Sequence, residues 1–146
     1  MLKVVIDTNV LIDASEDYYR YANRILDLVI ANQIMAYANR ATLNENKFLA
    51  RRKISDEGYL KKLEYFFEVV QPVATGEKLR IVEDPEDDKI LESAVASGAD
   101  YLITSDLHLL KLEKYHGVRI VRPAEFWSIW EDEGEGWVNW LSNFIK

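Results

Sequence analysis

Cysteine is absent from the 146-residue chain. No disulfide framework, thiolate nucleophile or thiolate metal centre can therefore form. Histidine is scarce, with His108 and His116 the only two. No apolar run approaches the roughly 20 residues that a membrane-spanning helix requires. The opening MLKVVID has one lysine and then a short run interrupted by Asp7, which does not read as a signal peptide. Low-complexity tracts, internal repeats and linkers are missing as well, so nothing argues for disorder. A soluble, cytoplasmic protein with no membrane association is the expectation. What is present is 49% apolar and 12% aromatic, enough for a real core. The length fits one domain of the usual size, about 100–150 residues. We expect a single domain over 1–146 with an aromatic-rich helical tail at about 124–146.

Positive charge is also in deficit. With 18 basic and 25 acidic residues the net charge is -7. Alone, this argues against binding nucleic acid, because a phosphate backbone rewards basic surfaces. The distribution softens the objection. Between Arg40 and Lys62 stand seven bases (Arg40, Lys47, Arg51, Arg52, Lys53, Lys61, Lys62) and three acids (Glu45, Asp56, Glu57), a local balance of 7 minus 3, or +4. A metal site built of carboxylates would add acids that its cations neutralise.

Strands and helices alternate along the chain. Leu2–Ile6 is a β-branched run that stops at Asp7 and reads as a buried strand. Residues 17–30 show apolar positions at helical spacing. A short strand is expected at 33–37, and helices over 42–52 and 57–69. Residues 70–82, with Pro72 and Gly76, read as irregular. Asp84-Pro85 opens a helix that Gly98 ends. Strands follow at 101–104 and 118–121, then a helical stretch after Pro123. Short strands that are apolar on both faces and alternate with helices mark a parallel sheet covered on both sides.

Four carboxylates stand out against that frame. Open parallel sheets place their sites at the carboxyl ends of the strands, and Asp7 and Asp106 each follow a strand. Either aspartate could instead cap the next helix or begin a turn. Two at one edge weaken that bland reading. Glu45 follows Thr42 at capping-box spacing, and it also neighbours Phe48 and Leu49 on what reads as an apolar face. A carboxylate there is expected to point toward the sheet, where a charge must be paired or metal-bound. In DPEDD, Asp84 suits the N-cap and Pro85 the first helical position. A helical wheel turns Asp87 inward with Ile90, Leu91 and Ala94, and puts Asp88 at the edge of that stripe, as second choice. An acidic first turn favoured by the helix dipole explains Asp84 and Asp88 better than an inward Asp87. Inward carboxylates at one edge repel one another unless cations hold them. All-oxygen ligand sets suit Mg²⁺ or Mn²⁺, and one or two such ions can drive phosphodiester hydrolysis.

These residues lie in stretches that resemble the PIN-domain nuclease family from end to end: VVIDTNVLI over 4–12, TLNE over 42–45, DPEDDKILE over 84–92, GADYLITSDLHLL over 98–110 and PAEF over 123–126. The first and fourth are the more specific. The resemblance implies an α/β/α sandwich with a central parallel sheet and a ribonuclease dependent on Mg²⁺ or Mn²⁺. It further implies membership of a toxin–antitoxin pair, with an antitoxin protein as partner and a homodimer as the assembly. By position, the family's acids fall on Asp7, Glu45, Asp87 and Asp106, with Asn9 and Thr104 as supporting polar residues. Relatives often carry another acid two residues after the last one, where this chain has His108. A histidine there could ligate metal, contact phosphate or face solvent, and a peripheral role is the expectation.

Two further features have competing readings. Lys47, Arg51, Arg52 and Lys53 follow Glu45 and could guide RNA phosphates, or form an ordinary solvated helix face. Trp127, Trp130, Trp137, Trp140 and Phe144 could stack bases or anchor a partner. Surrounding acids favour packing of a C-terminal helix, with self-association as a secondary reading. Besides the nuclease, two other functions fit less well. One is a non-catalytic RNA- or protein-binding module of the same fold, which would not need four acids. The other is an aspartate-nucleophile phosphatase, which normally places a second aspartate where this chain has Asn9.

Overall fold

The first strand, β1 (Lys3–Ile6), is followed directly by a short helix, α1 (Thr8–Asp13), with Asp7 as its N-cap. The computed structural model describes residues 1–14, 20–75, 80–82 and 84–133. The next elements are α2 (Arg20–Ile30), β2 (Met35–Asn39), α3 (Arg40–Lys53), α4 (Glu57–Val69) and β3 (Gln71–Val73). After them come α5 (Pro85–Ser97), β4 (Tyr101–Ile103), α6 (Leu107–Leu110), β5 (Lys114–Tyr115), β6 (Val118–Val121) and α7 (Pro123–Glu133). The expected start of a helix at residue 17 lies outside the described residues, as do Gly76, Trp137, Trp140 and Phe144.

The six strands form one sheet in the order β3-β2-β1-β4-β6-β5. Four of the five pairings are parallel, among them Val4 opposite Ala36 in β2 and Val5 opposite Leu102 in β4. Tight parallel pairing needs strands buried on both faces, and the side chains supply this by alternation. Val4, Ile103 and Val121 face a layer built by α1, α2, α4 and α7, where Ile25, Leu63 and Phe126 are fully buried. Val5, Leu102 and Ile120 face the opposite way, onto Leu91 and Ala94 of α5 and Leu109 of α6. The result is the expected α/β sandwich. Trp130 is buried in the first of these layers and Trp127 borders it, its indole N–H donating to Glu131 at 2.8 Å. At these two positions the aromatics pack as the tail reading anticipated.

The central sheet is parallel as expected and gains one antiparallel strand at its edge, whereas the stretch 70–82 needs correction. β5 runs antiparallel to β6, with Tyr115 opposite Val118. The two intervening residues, His116 (φ 48°) and Gly117 (φ 82°), are both left-handed, as a tight type I′ hairpin demands. At the far edge, Gln71–Val73 pairs parallel with β2 instead of being irregular. Three residues around a proline were too short to show a period.

Because β2 and β3 are added on one side of β1 and β4 on the other, the winding of the parallel strands changes direction at the β1–β4 seam. In doubly wound sheets ligands bind beyond the carboxyl ends of the strands at this switch point. Asp7 continues β1 there, and its backbone N–H donates to the carbonyl of Ile103 at 2.9 Å.

Candidate active site at the strand switch point

Asp7 is buried, 3% exposed. It is both a helix cap and a group with a network of its own, so the cap-versus-site alternatives are not exclusive. One carboxylate oxygen accepts from the Asn9 backbone N–H at 3.3 Å. The other accepts from the Thr104 hydroxyl at 2.8 Å. Thr104 is fully buried, and its oxygen also accepts from the Asp106 backbone N–H at 3.0 Å. One hydroxyl thus fixes the strand-end acid of β1 against the turn after β4. Burial pushes the Asp7 carboxyl above its ordinary range. The bonds from Thr104 and Asn9 oppose that rise, while the charges of Asp106 and Asp13 add to it.

Asp106 caps α6, with one oxygen accepting from the His108 backbone N–H at 2.7 Å. The His108 ring Nδ1 lies 3.4 Å from the same oxygen. Asp87 enters from the first turn of α5. One ligand atom from each of Asp87, Asp106 and His108 can be chosen so that all three lie within 4.8 Å of one another. Asp87 is 6% exposed, and its Oδ2 has no hydrogen-bond partner among the described residues. Burial first, then the charges of Asp106, Asp84 and Asp7 and a hydrogen bond with Asp106, raise its carboxyl to about 6. A buried oxygen without a partner, on a carboxylate that has other acids around it, is costly unless a cation balances it. The donor set of carboxylates suits a hard divalent metal.

Asp88 is buried too, which the wheel placed only at the edge. Its work is different. One oxygen accepts from the backbone N–H groups of Ile81 (3.0 Å) and Val82 (3.1 Å), holding the chain that leads into α5. The neighbouring aspartates therefore divide: Asp88 ties down backbone and Asp87 turns to the acidic cluster.

Glu45 differs from the expectation. It is exposed, as is Phe48 at 60%, so neither marks an inward face. The helix starts earlier, capped by Asn39, which accepts from Ala41 N–H at 2.8 Å. Thr42 is therefore inside the helix and makes no capping box with Glu45. The buried face of α3 is Leu43, Asn46 and Ala50. Glu45 still acts electrostatically on α5: the pKa of Lys89 is raised first by its hydrogen-bonded partner Glu86, and also by Glu45 and Glu92. Lys47, Arg51, Arg52 and Lys53 are all exposed, with the Arg52 guanidinium 5.5 Å from the Phe48 ring centre. Asn9 touches Asp7 only through its backbone N–H, with its side chain exposed.

Sequence reasoning passed over Asn46. It is buried and accepts from the Thr8 hydroxyl, joining α3 to the first residue of α1 beside Asp7. Its signal was present, since it sits three residues after Leu43 and four before Ala50 on one helix face.

A family model described as "PIN domain" matches residues 3–108. The chain is 32% identical over 140 residues to the uncharacterized protein MJ1680 of Methanocaldococcus jannaschii, covering 86% of this chain and 89% of the relative. The chain belongs to the PIN-domain family, whose members are generally nucleases. Among solved structures it is similar to a chain in the crystal structure of VapBC2 from Rickettsia felis bound to a DNA fragment from their promoter. The TM-score is 0.54 at 17% identity, over 82% of this chain and 97% of that one. This likeness shows the shared fold. No helix among the described residues is long and apolar enough to cross a membrane.

Proposed function

We propose that the protein is an endoribonuclease that requires Mg²⁺ or Mn²⁺, held by Asp7, Asp87 and Asp106, with Glu45 as the fourth acid on the solvent side. The observation that carries this reading is the buried, unpartnered Oδ2 of Asp87 beside Asp106. When bound, a divalent cation supplies Lewis acidity toward a phosphate oxygen and lowers the pKa of the water it holds. The protein's own residues do the positioning. Thr104 presents Asp7 in one orientation, the His108 N–H does the same for Asp106, and Asp88 anchors the entry to α5 so that Asp87 stays in the cluster. Lys47, Arg51 and Arg52 on α3 supply positive charge for RNA phosphates. Hydrolysis adds water across one P–O bond, leaving a phosphate monoester on one fragment and a hydroxyl on the other.

We infer also that the enzyme is the toxin of a toxin–antitoxin pair, active in the cytoplasm as a homodimer and restrained by an antitoxin protein. The fold shared with a VapBC2 chain, from a toxin–antitoxin complex, supports this. The test of the chemistry is cleavage of varied RNAs with Mn²⁺, with and without EDTA, by wild type and Asp7→Asn. We expect EDTA-sensitive cleavage that the variant loses by at least about 100-fold. Undiminished cleavage by Asp7→Asn would sink the mechanism. No cleavage together with no metal binding would favour the non-catalytic binding module.

A further inference from the structure

The carboxylates account for three of the acids at the switch point, and they leave one nitrogen group beside them without a role. His108 Nδ1 stands 3.4 Å from Asp106 Oδ1. One ligand atom from each of His108, Asp106 and Asp87 falls within the 4.8 Å span described above. Two donors that share a cation at about 2.1 Å each are separated by about 3–4 Å, so the 3.4 Å between His108 and Asp106 suits joint ligation. The buried Oδ2 of Asp87, unpartnered among the described residues, is the independent sign that this group suits a cation. The backbone adds preorganisation. The His108 N–H already grips Asp106 Oδ1 at 2.7 Å, which holds the residue within reach of the carboxylate it would assist. Its side chain is 57% exposed, so the imidazole can turn without disturbing the core.

We propose that His108 is a direct nitrogen ligand of the cation held by Asp87 and Asp106, and that it makes the site select first-row transition-metal ions over Mg²⁺. This rests on the metal-dependent reading above and specifies its metal class. Mg²⁺ prefers an all-oxygen, octahedral shell and gives up water reluctantly. An imidazole is a softer donor that transition metals accept and Mg²⁺ accepts poorly. The exposed second ring nitrogen is left to hydrogen-bond with water, as ligating histidines require of their other nitrogen.

The scarcity of histidine makes the test clean. His116, the only other one, lies against Tyr115 in the β5–β6 hairpin, with ring centres 4.4 Å apart and the rings tilted by 55°. The full-length chain is labelled with ¹⁵N-histidine, loaded with Mn²⁺ and examined by pulsed electron paramagnetic resonance. Nitrogen coupling to manganese is expected in wild type and in His116→Asn, and absent in His108→Ala. Calorimetry should show His108→Ala losing at least about tenfold in Mn²⁺ affinity and under about twofold in Mg²⁺ affinity. His108→Asp, which exchanges nitrogen for oxygen at an exposed position, should move the preference toward Mg²⁺. Mn²⁺ bound without nitrogen coupling, and lost in Asp87→Asn, would overturn the role of His108 and leave the nuclease reading standing. Wild type binding neither ion would overturn both.

Discussion

At the carboxyl ends of β1 and β4 the charged groups are buried or partly buried and held by hydrogen bonds, while on the outer face of α3 they are exposed. Asp7 has both oxygens engaged, by Thr104 and by the Asn9 N–H. Glu45, Lys47, Arg51 and Arg52 all face solvent. The contrast teaches where each region draws its energy. In the cleft, burial raises the Asp7 and Asp87 carboxyls, so the protein holds acids in a place that disfavours their charge. On α3 the bases retain hydration and act through long-range attraction, which salt screens. On the function proposed above, the buried acids hold a divalent cation and the exposed helix face attracts a flexible polyanion.

The largest effect that would sharpen this contrast is at the hinge of the cleft. Thr104→Val keeps the shape and removes the hydroxyl that serves Asp7 and the Asp106 N–H. Metal affinity and cleavage should fall about 10–100-fold, and chemical unfolding should register a loss of about 1–3 kcal/mol for the groups left unpaired. A variant equal to wild type in both would show that the cleft is not preorganised.

A smaller effect concerns acidity. The Asp87 carboxyl titrates at about 6 in the fold, against an ordinary value of 3.8. Between these values the folded state binds more protons than the unfolded state, so its stability contribution is present at low pH and lost as pH rises through about 6. In EDTA, the unfolding free energy of wild type relative to Asp87→Asn should therefore fall between about pH 4 and pH 7, by up to about 3 kcal/mol. Saturating divalent metal should abolish the slope. A flat difference in EDTA would remove the electrostatic cost assigned to the cleft.

The smallest effect belongs to α3. Arg51→Ala with Arg52→Ala should weaken RNA binding several-fold and reduce the salt dependence by about 0.7 per lost phosphate contact. Filter binding at a series of salt concentrations measures it, with cleavage of saturating RNA unchanged. An unaltered slope would make this face an ordinary solvated one.

Legibility in the sequence followed the same division. Asp7 and Asp106 could be located because strands end visibly and topology sends parallel strand ends to one edge. The main strands and helices were readable for similar reasons, since each has enough turns or alternations to show a period. α1, α6, β3 and β5 are too short for that. On α3, Phe48 suggested an inner face that is outward. The true inner face contains Asn46, whose polarity hid the stripe and whose partner, Thr8, is 38 residues away. For Asp87 and Asp88 the wheel captured direction and missed partners: the Ile81 and Val82 N–H groups that claim Asp88 come from an irregular segment.

The two margins of the sheet carry one more consequence. β3 is three residues centred on Pro72, and β5 is two residues folded back through His116 and Gly117. A proline has no N–H to offer, and a two-residue strand presents almost no ladder. Neither margin can template the addition of another chain, so the sheet resists runaway polymerisation into fibrils. Strand addition is thus disfavoured at both margins, which leaves side chains rather than backbone to choose a partner.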